Sequence, residues 1–343
     1  MFLKNKKKIY SRRSVLRVAF PRSMIGLFGL GLGLGLISVI LVGCFQGGGE
    51  TRQEKKENPD REIRVVAVSY PLQYLTQRIV GDLIDVEYPV PQEVDDPSQW
   101  RPTRASVLAM QSAELVIANG AGADYAKWLP KVSLPESKLC RIATKGLSLS
   151  DYIAVEDVSM VHSHGPEGEH SHPTMVSRTW LDPAIAKKQA AYISQLLTKQ
   201  YPQFAATFEA NLAVLSKDLD RLTALLEPTA GQQIGPLVTA TPLQKFFTRA
   251  AGAGDLHLTW FEVPDVEQAG SDLKALLKGA GAAGGVVVFD QELPSDEILA
   301  LIDDQGFSSL ALNLIDQPPA NGDFLSSLES NIVALKAALG GQK

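Results

Sequence analysis

The stretch His162-Ser163-His164-Gly165-Pro166-Glu167-Gly168-Glu169-His170-Ser171-His172 holds four of the chain's five histidines. Two His-x-His pairs with two glutamates between them offer imidazole nitrogen and carboxylate oxygen. Those are the donors that zinc, nickel and copper accept. Nothing in so polar and glycine-containing a tract fixes a coordination geometry, so it also reads as a solvated loop that meets metal only at high concentration. The fifth histidine, His257 in Asp255-Leu256-His257-Leu258, stands alone on an apolar strand and reads as structural. There is no Gly-x-Ser-x-Gly elbow, no phosphate-cradling Walker loop and no glycine-rich dinucleotide turn, so an enzyme is not expected.

Of the two cysteines, Cys44 follows Leu41-Val42-Gly43, which resembles the lipobox of bacterial lipoproteins. Residues 1–43 read as the matching signal peptide. They carry a basic head (Lys4, Lys6, Lys7, Lys8, Arg12, Arg13, Arg17 and Arg22) and then an apolar, glycine-rich run from Met24 to Val42. The resemblance implies cleavage before Cys44 and lipid on its sulfur. The run is also long enough to span a bilayer, which keeps a plain transmembrane anchor open. Ser11-Arg12-Arg13-Ser14-Val15-Leu16-Arg17 is similar to a twin-arginine export signal, so the export route stays open too. Residues 44–62, Gly-rich and then charged, read as a flexible tether. The remaining Cys140 has no partner for a disulfide and sits between apolar neighbours as a small hydrophobe. Removing the eight basic residues of 1–43 from the total of 33 leaves 25 against 38 acids, a formal charge of −13 on the rest. Such an acidic body argues against nucleic acid and suits a protein that handles cations.

The elements that must position any site follow from periodicity. Ile63 to Val68 reads as a buried strand, Leu72 to Val80 as a helix and Leu83 to Val90 as a strand. Thr103 to Gln111 reads as a helix and Glu114 to Ala118 as a strand. Asp182-Pro183 is an N-cap followed by a good first helical residue, with Ile185, Ala186, Tyr192, Ile193, Leu196 and Leu197 along one face. Pro202 to Glu227 has apolar residues at Phe204, Phe208, Leu212, Leu215, Leu219, Leu222 and Leu226. That spacing predicts one helix of about 39 Å. A second series follows: a strand at Val238, a strand Gly285 to Phe289, a helix Asp296 to Asp304, a strand Leu310 to Leu314 and a helix Phe324 to Leu339. The expected fold is therefore α/β: two lobes, each a parallel sheet flanked by helices, joined by one long rigid helix. The expected boundaries are 63–201 for the first lobe with a His-rich loop at 162–174, 202–227 for the helix and 228–343 for the second lobe.

The order of several short segments resembles the solute-binding lipoproteins of zinc/manganese ABC importers. They are Val68-Ser69-Tyr70-Pro71-Leu72, Val90-Pro91, Arg101-Pro102-Thr103, Ala118-Asn119-Gly120-Ala121-Gly122, Trp128-Leu129, and the His-rich tract ahead of Trp180-Leu181-Asp182-Pro183. The resemblance implies export and a lipid anchor on a bacterial membrane, facing the periplasm or the cell exterior. It also implies transfer of zinc, manganese or another divalent transition metal to a permease with a cytoplasmic ATPase.

Members of that family usually hold the ion with three histidines and a carboxylate. At the matching positions this chain has Ser98, Arg178 and Thr241 (Ala240 if the register shifts), and only Asp290 keeps its type. Serine and threonine hydroxyls are poor zinc ligands, and arginine cannot ligate because it stays protonated. The usual pocket is therefore not expected. Either Arg178 closes a Ser98–Thr241–Arg178–Asp290 cluster as an internal ion pair, or Arg178 with Lys245 binds an anion, or Arg178 is a surface residue. Metal capture is left to His162, His164, His170 and His172. A structural or adhesive lipoprotein without transport is the remaining alternative.

Overall fold

Branched aliphatic residues open both halves of the chain, and both halves build parallel sheets from them. The computed structural model describes residues 63–340 apart from 121–124, 152, 157–161, 164–168, 171–172, 228–235, 254–255, 261 and 281–283. The signal peptide, Cys44 and the tether lie outside the described residues.

The first sheet contains β1 (Arg64–Ala67), β2 (Asp85–Glu87), β3 (Leu115–Ala118) and β4 (Leu139–Arg141), in the order β2-β1-β3-β4, all parallel. Helices α1 (Tyr70–Val80), α2 (Arg104–Ser112) and the short α3 (Ile142–Gly146) connect or follow these strands. Strand β2 is shorter than its apolar pattern predicts, because Gly81–Leu83 forms a 3-10 turn before it. The Cys140 side chain is buried in β4, as its apolar neighbours foretold.

Between the halves lie two short antiparallel pairs. β5 (Ala154–Glu156) pairs with β8 (Pro173–Met175), and β6 (His162–Ser163) with β7 (Glu169–His170). The expected His-rich loop thus contains a hairpin in which His162 stands opposite His170. His164 and His172 lie outside the described residues.

Helix α4 (Pro183–Gln200) starts as read: the Asp182 carboxylate accepts from the backbone N–H groups of Ala184 (2.9 Å) and Ile185 (3.2 Å). The long helix begins later than expected. Pro202–Phe204 is a 3-10 turn, and α5 runs Ala205–Leu226, about 33 Å at 1.5 Å per residue. Its buried residues are Phe208, Leu215, Leu219, Leu222 and Leu226. It packs on α4 and α1.

The second sheet contains β9 (Leu237–Thr239), β10 (Leu256–His257), β11 (Gly285–Asp290) and β12 (Phe307–Leu312), in the order β10-β9-β11-β12, again parallel. Its helices are α6 (Lys245–Ala250), α7 (Val266–Ala280), α8 (Asp296–Asp304) and α9 (Phe324–Gly340). Along β11 the side chains alternate between two cores. Val286 and Val288 join the large core shared with the first half, whereas Val287 and Phe289 join a smaller cluster with Leu273, Ile298 and Ile302. That is the two-residue period of a sheet covered on both faces. Gly285 must be glycine, since a Cβ there would lie 2.3 Å from the Pro236 carbonyl oxygen.

Candidate functional site

Parallel strands deliver their following loops to one edge of a sheet, and ligands of open α/β sheets bind beyond that carboxyl edge. Thr241 follows β9, Asp290 ends β11, and Asp316 comes four residues after β12. From the first half, Tyr88, Asp96 and Ser98 follow β2, and Asn119 and Tyr125 follow β3. Arg178 precedes the short turn Thr179–Leu181 that leads into α4.

Arg178 is buried, with only 7% of its surface exposed, which rules out the surface reading. Its partner is Asp316, not Asp290. Nε donates to Oδ1 at 3.1 Å and Oδ2 at 3.2 Å, and Nη2 donates to Oδ2 at 2.7 Å. The guanidinium carbon also stands 5.6 Å from the centre of the Tyr125 ring. Burial pushes the guanidinium toward deprotonation, but the field and hydrogen bonds of Asp316 outweigh it, so Arg178 is held firmly cationic. Burial pushes the Asp316 carboxyl above the ordinary carboxylate range, and Arg178 offsets only part of that.

The other expected members of the cluster pair separately. Asp290 accepts from the Thr241 hydroxyl and, at 2.8 Å, from Gln244 Nε2, which also donates to the Phe289 carbonyl at 2.7 Å. Burial raises the Asp290 carboxyl; Thr241, the nearby charge of Arg178 and Gln244 pull it back in part. Ser98 donates its hydroxyl to Asp96 at 2.6 Å, and its backbone N–H reaches the same oxygen at 2.9 Å. The Lys245 side chain is buried on α6. Among the described residues no group of three His, Cys, Asp or Glu side chains is placed to hold a metal ion.

Arg178 is aimed by its neighbours. The Asn119 side chain donates to the Ser177 carbonyl and accepts from Thr179 Oγ1 (3.1 Å) and Gln189 Nε2 (2.7 Å), which pins the segment on both sides of Arg178. Trp180 Nε1 donates to the Leu314 carbonyl at 3.0 Å, and its ring meets Tyr125 edge-on at 5.1 Å. Tyr88 Oη donates to the Asp316 carbonyl at 3.2 Å, and Gln317 Nε2 reaches the carbonyls of Pro91 and Val94, each at 3.0 Å. The segment carrying Asp316 is therefore stitched to the first half on both sides of the ion pair.

Backbone strain marks the same places. Among the described residues, the non-glycine residues with positive φ are Gln291 (63°), next to the partly buried Asp290, and Ile315 (57°), next to the buried Asp316. An isoleucine in that region is costly and persists only when the surroundings over-determine it. Here Asn313 Oδ1 accepts the Ile315 N–H at 2.6 Å, and Asn331 holds Asn313 from α9.

Asp316 and Asn119 were not legible as site residues. Asp316 lies 138 positions from Arg178 in a segment with no metal-ligand or capping pattern. For Asn119 the available signals were its place in the segment Ala118-Asn119-Gly120-Ala121-Gly122 and a polar residue directly after a fully buried strand.

Residues 65–338 match the family profile described as ZnuA, zinc-uptake complex component A, periplasmic. The chain is 23% identical over 313 residues to the zinc-binding lipoprotein AdcA of Streptococcus pneumoniae serotype 4, covering 88% of this chain and 59% of that protein. It thus spans about three-fifths of that relative's length. It is 24% identical over 326 residues to the high-affinity zinc uptake system protein ZnuA of Bacillus subtilis, covering 88% of this chain and 96% of that one. Among solved structures, the Zn(II)-bound ZnuA-like domain of S. pneumoniae AdcA has a TM-score of 0.60 at 20% identity, covering 81% of this chain and 99% of that domain. The metal-dependent lipoprotein YcdH from B. subtilis has a TM-score of 0.63 at 21% identity, covering 81% and 100%. These likenesses show the shared two-lobed fold.

Proposed function

Because the chain belongs to the family of ZnuA, the periplasmic component A of zinc-uptake complexes, we propose that it is the extracytoplasmic binding lipoprotein of an ABC importer. In this reading it is anchored through lipid on Cys44 and carries a divalent transition metal, zinc foremost, to a permease with a cytoplasmic ATPase. The capture site is the His-rich segment, His162, His164, His170 and His172, and the cleft between the lobes is closed by the protein's own cation.

The observation that carries this reading is the buried contact of Arg178 with Asp316. The guanidinium offers a divalent cation no lone pair, and it already occupies both oxygens of the Asp316 carboxylate. Asp290, the one matching carboxylate, has both oxygens engaged by Thr241 and Gln244. The hairpin register that sets His162 opposite His170 supports capture at the other location.

Calorimetric zinc titration of the full chain in detergent tests this. Changing the four loop histidines to alanine is expected to abolish the binding isotherm, and Arg178→Ala to leave it in place. Submicromolar binding that survives loss of all four histidines would show that the cleft ligates the ion and would overturn the assignment.

A further inference from the structure

The edge of a sheet leaves backbone donors and acceptors unpaired, and proteins blunt such edges with short strands and charged residues. Three of the four edge strands follow that rule. β2 is three residues long and carries Asp85 and Glu87, β4 is three residues long and ends in Arg141, and β10 has two residues. The fourth, β12, does not. It is six residues long, Phe307-Ser308-Ser309-Leu310-Ala311-Leu312, and residues 305–315 contain no charged residue at all.

The outer side of β12 is open. Ser308, Ser309, Leu310 and Ala311 are each partly exposed, whereas the neighbouring β11 is buried from Gly285 to Phe289. Among the described residues no segment pairs with that outer side. Helices α8 and α9 pack on opposite faces of the sheet. The ladder fixes which backbone groups point where. The Leu312 carbonyl accepts from the Gln291 N–H at 2.8 Å, so Leu312 faces β11. Backbone groups alternate sides along a strand, so Ser308 and Leu310 also face β11, and Phe307, Ser309 and Ala311 face outward.

Those outward groups are symmetric about Ser309, which makes the strand complementary to itself. Two copies related by a two-fold axis at Ser309 run antiparallel. Ser309 then stands opposite the partner's Ser309, and Phe307 opposite the partner's Ala311, with the outward N–H and C=O groups of all three residues paired. Beyond residue 43 the chain has thirteen more acids than bases, so two copies repel over most of their surface. An uncharged edge is where they can meet, and it offers a charged peptide no opposite charge. The far edge of the sheet, β10, is too short to extend it further.

We propose that β12 is a self-association edge, at which two copies of this chain pair their β12 strands antiparallel about Ser309 and join two four-stranded sheets into one. An anchor at Cys44 would confine copies to one membrane surface and raise their effective concentration. The pairing itself rests on β12 alone, so its test is independent of metal capture.

The full chain in non-ionic detergent is followed by sedimentation, and a concentration-dependent dimer is expected. Ser309→Lys and Ser309→Glu each set like charges directly opposite one another across the axis. Each should lower the dimer fraction severalfold and, at a partly exposed position, melt as wild type does. Mixing the two variants should restore the dimer, which misfolded chains could not do. Oxidation of Ser309→Cys should trap a covalent dimer, because a hydrogen-bonded antiparallel pair has Cα atoms about 5.5 Å apart, within the disulfide range. The native Cys140 is buried and does not compete. Ala311→Cys, four positions out of register with its own counterpart, should not crosslink. A monomer at every concentration would overturn the proposal and leave the edge to an extended segment of another protein. A dimer undiminished in both charged variants, a mixture no more dimeric than either variant alone, oligomers larger than two, or equal crosslinking at positions 309 and 311 would each overturn it as well.

Discussion

The guanidinium of Arg178 and the carboxylate of Asp316 face each other across the two halves of the protein, with Nη2 2.7 Å from Oδ2 and Nε 3.1 Å from Oδ1. Both are buried, and neither has water to fall back on. Removing one member leaves an uncompensated buried charge, which costs about 3–5 kcal/mol, whereas replacing both by apolar residues is often neutral or stabilising. Arg178→Ala and Asp316→Ala should each lower stability by about that amount in chemical denaturation. Arg178→Leu combined with Asp316→Leu should recover most of the loss. Single-variant costs that simply add in the double variant would show that the two groups are not coupled.

Asp290 predicts the opposite direction. Burial raises its carboxyl above the unfolded value of 3.8, so the fold favours the protonated form. Its contribution is then fully present below pH 3.8 and is lost as pH rises through the raised folded value. An asparagine, neutral throughout, should be more stable than wild type at pH 7, on the order of 1 kcal/mol or about 2–4 °C in Tm. That advantage should shrink toward pH 4. Thermal melts of Asp290→Asn and wild type between pH 4 and 7 check the sign.

Asp323 behaves in the reverse sense. It caps α9 through the Ser326 N–H at 2.9 Å and accepts from Tyr74 Oη of α1 at 2.8 Å. Burial alone would raise its carboxyl, but Ser326, Tyr74 and Arg78 outweigh it and lower it below 3.8. Its stabilisation is thus present above pH 3.8 and lost as pH falls through the lowered folded value. Asp323→Ala should cost about 1–2 kcal/mol at pH 7, as lost caps do. Its deficit relative to wild type should narrow below pH 3.8 in acid-unfolding curves.

Cys44→Ala removes the only sulfur at the expected lipidation site. The variant should stay in the aqueous phase on detergent phase separation, whereas the wild-type chain made in a bacterial host should enter the detergent phase. Equal partitioning of the two would exclude a lipid anchor at Cys44.

What the sequence determined by itself is local. The Asp182 cap, the strands around Val65, Val116 and Val287, and the apolar stripe from Phe208 to Leu226 follow from rules that act within one or two turns of chain, and the structure contains each of them. The order of the short motifs, read together, pointed to the family. Local rules also explain the smaller misses: Pro202 starts a 3-10 turn where periodicity continued a helix, and opposed histidines form a hairpin inside a tract too polar to read as strand. Which carboxylate faces Arg178 was another matter. Asp290 had a motif to recommend it and Asp316 had none, because the choice is made by two sheets meeting. The Asn119 network aims Arg178, and strain at Ile315 with the Trp180–Leu314 bond brings Asp316 to it. Contacts of that kind join residues 58 to 138 positions apart, and no spacing along the chain encodes them.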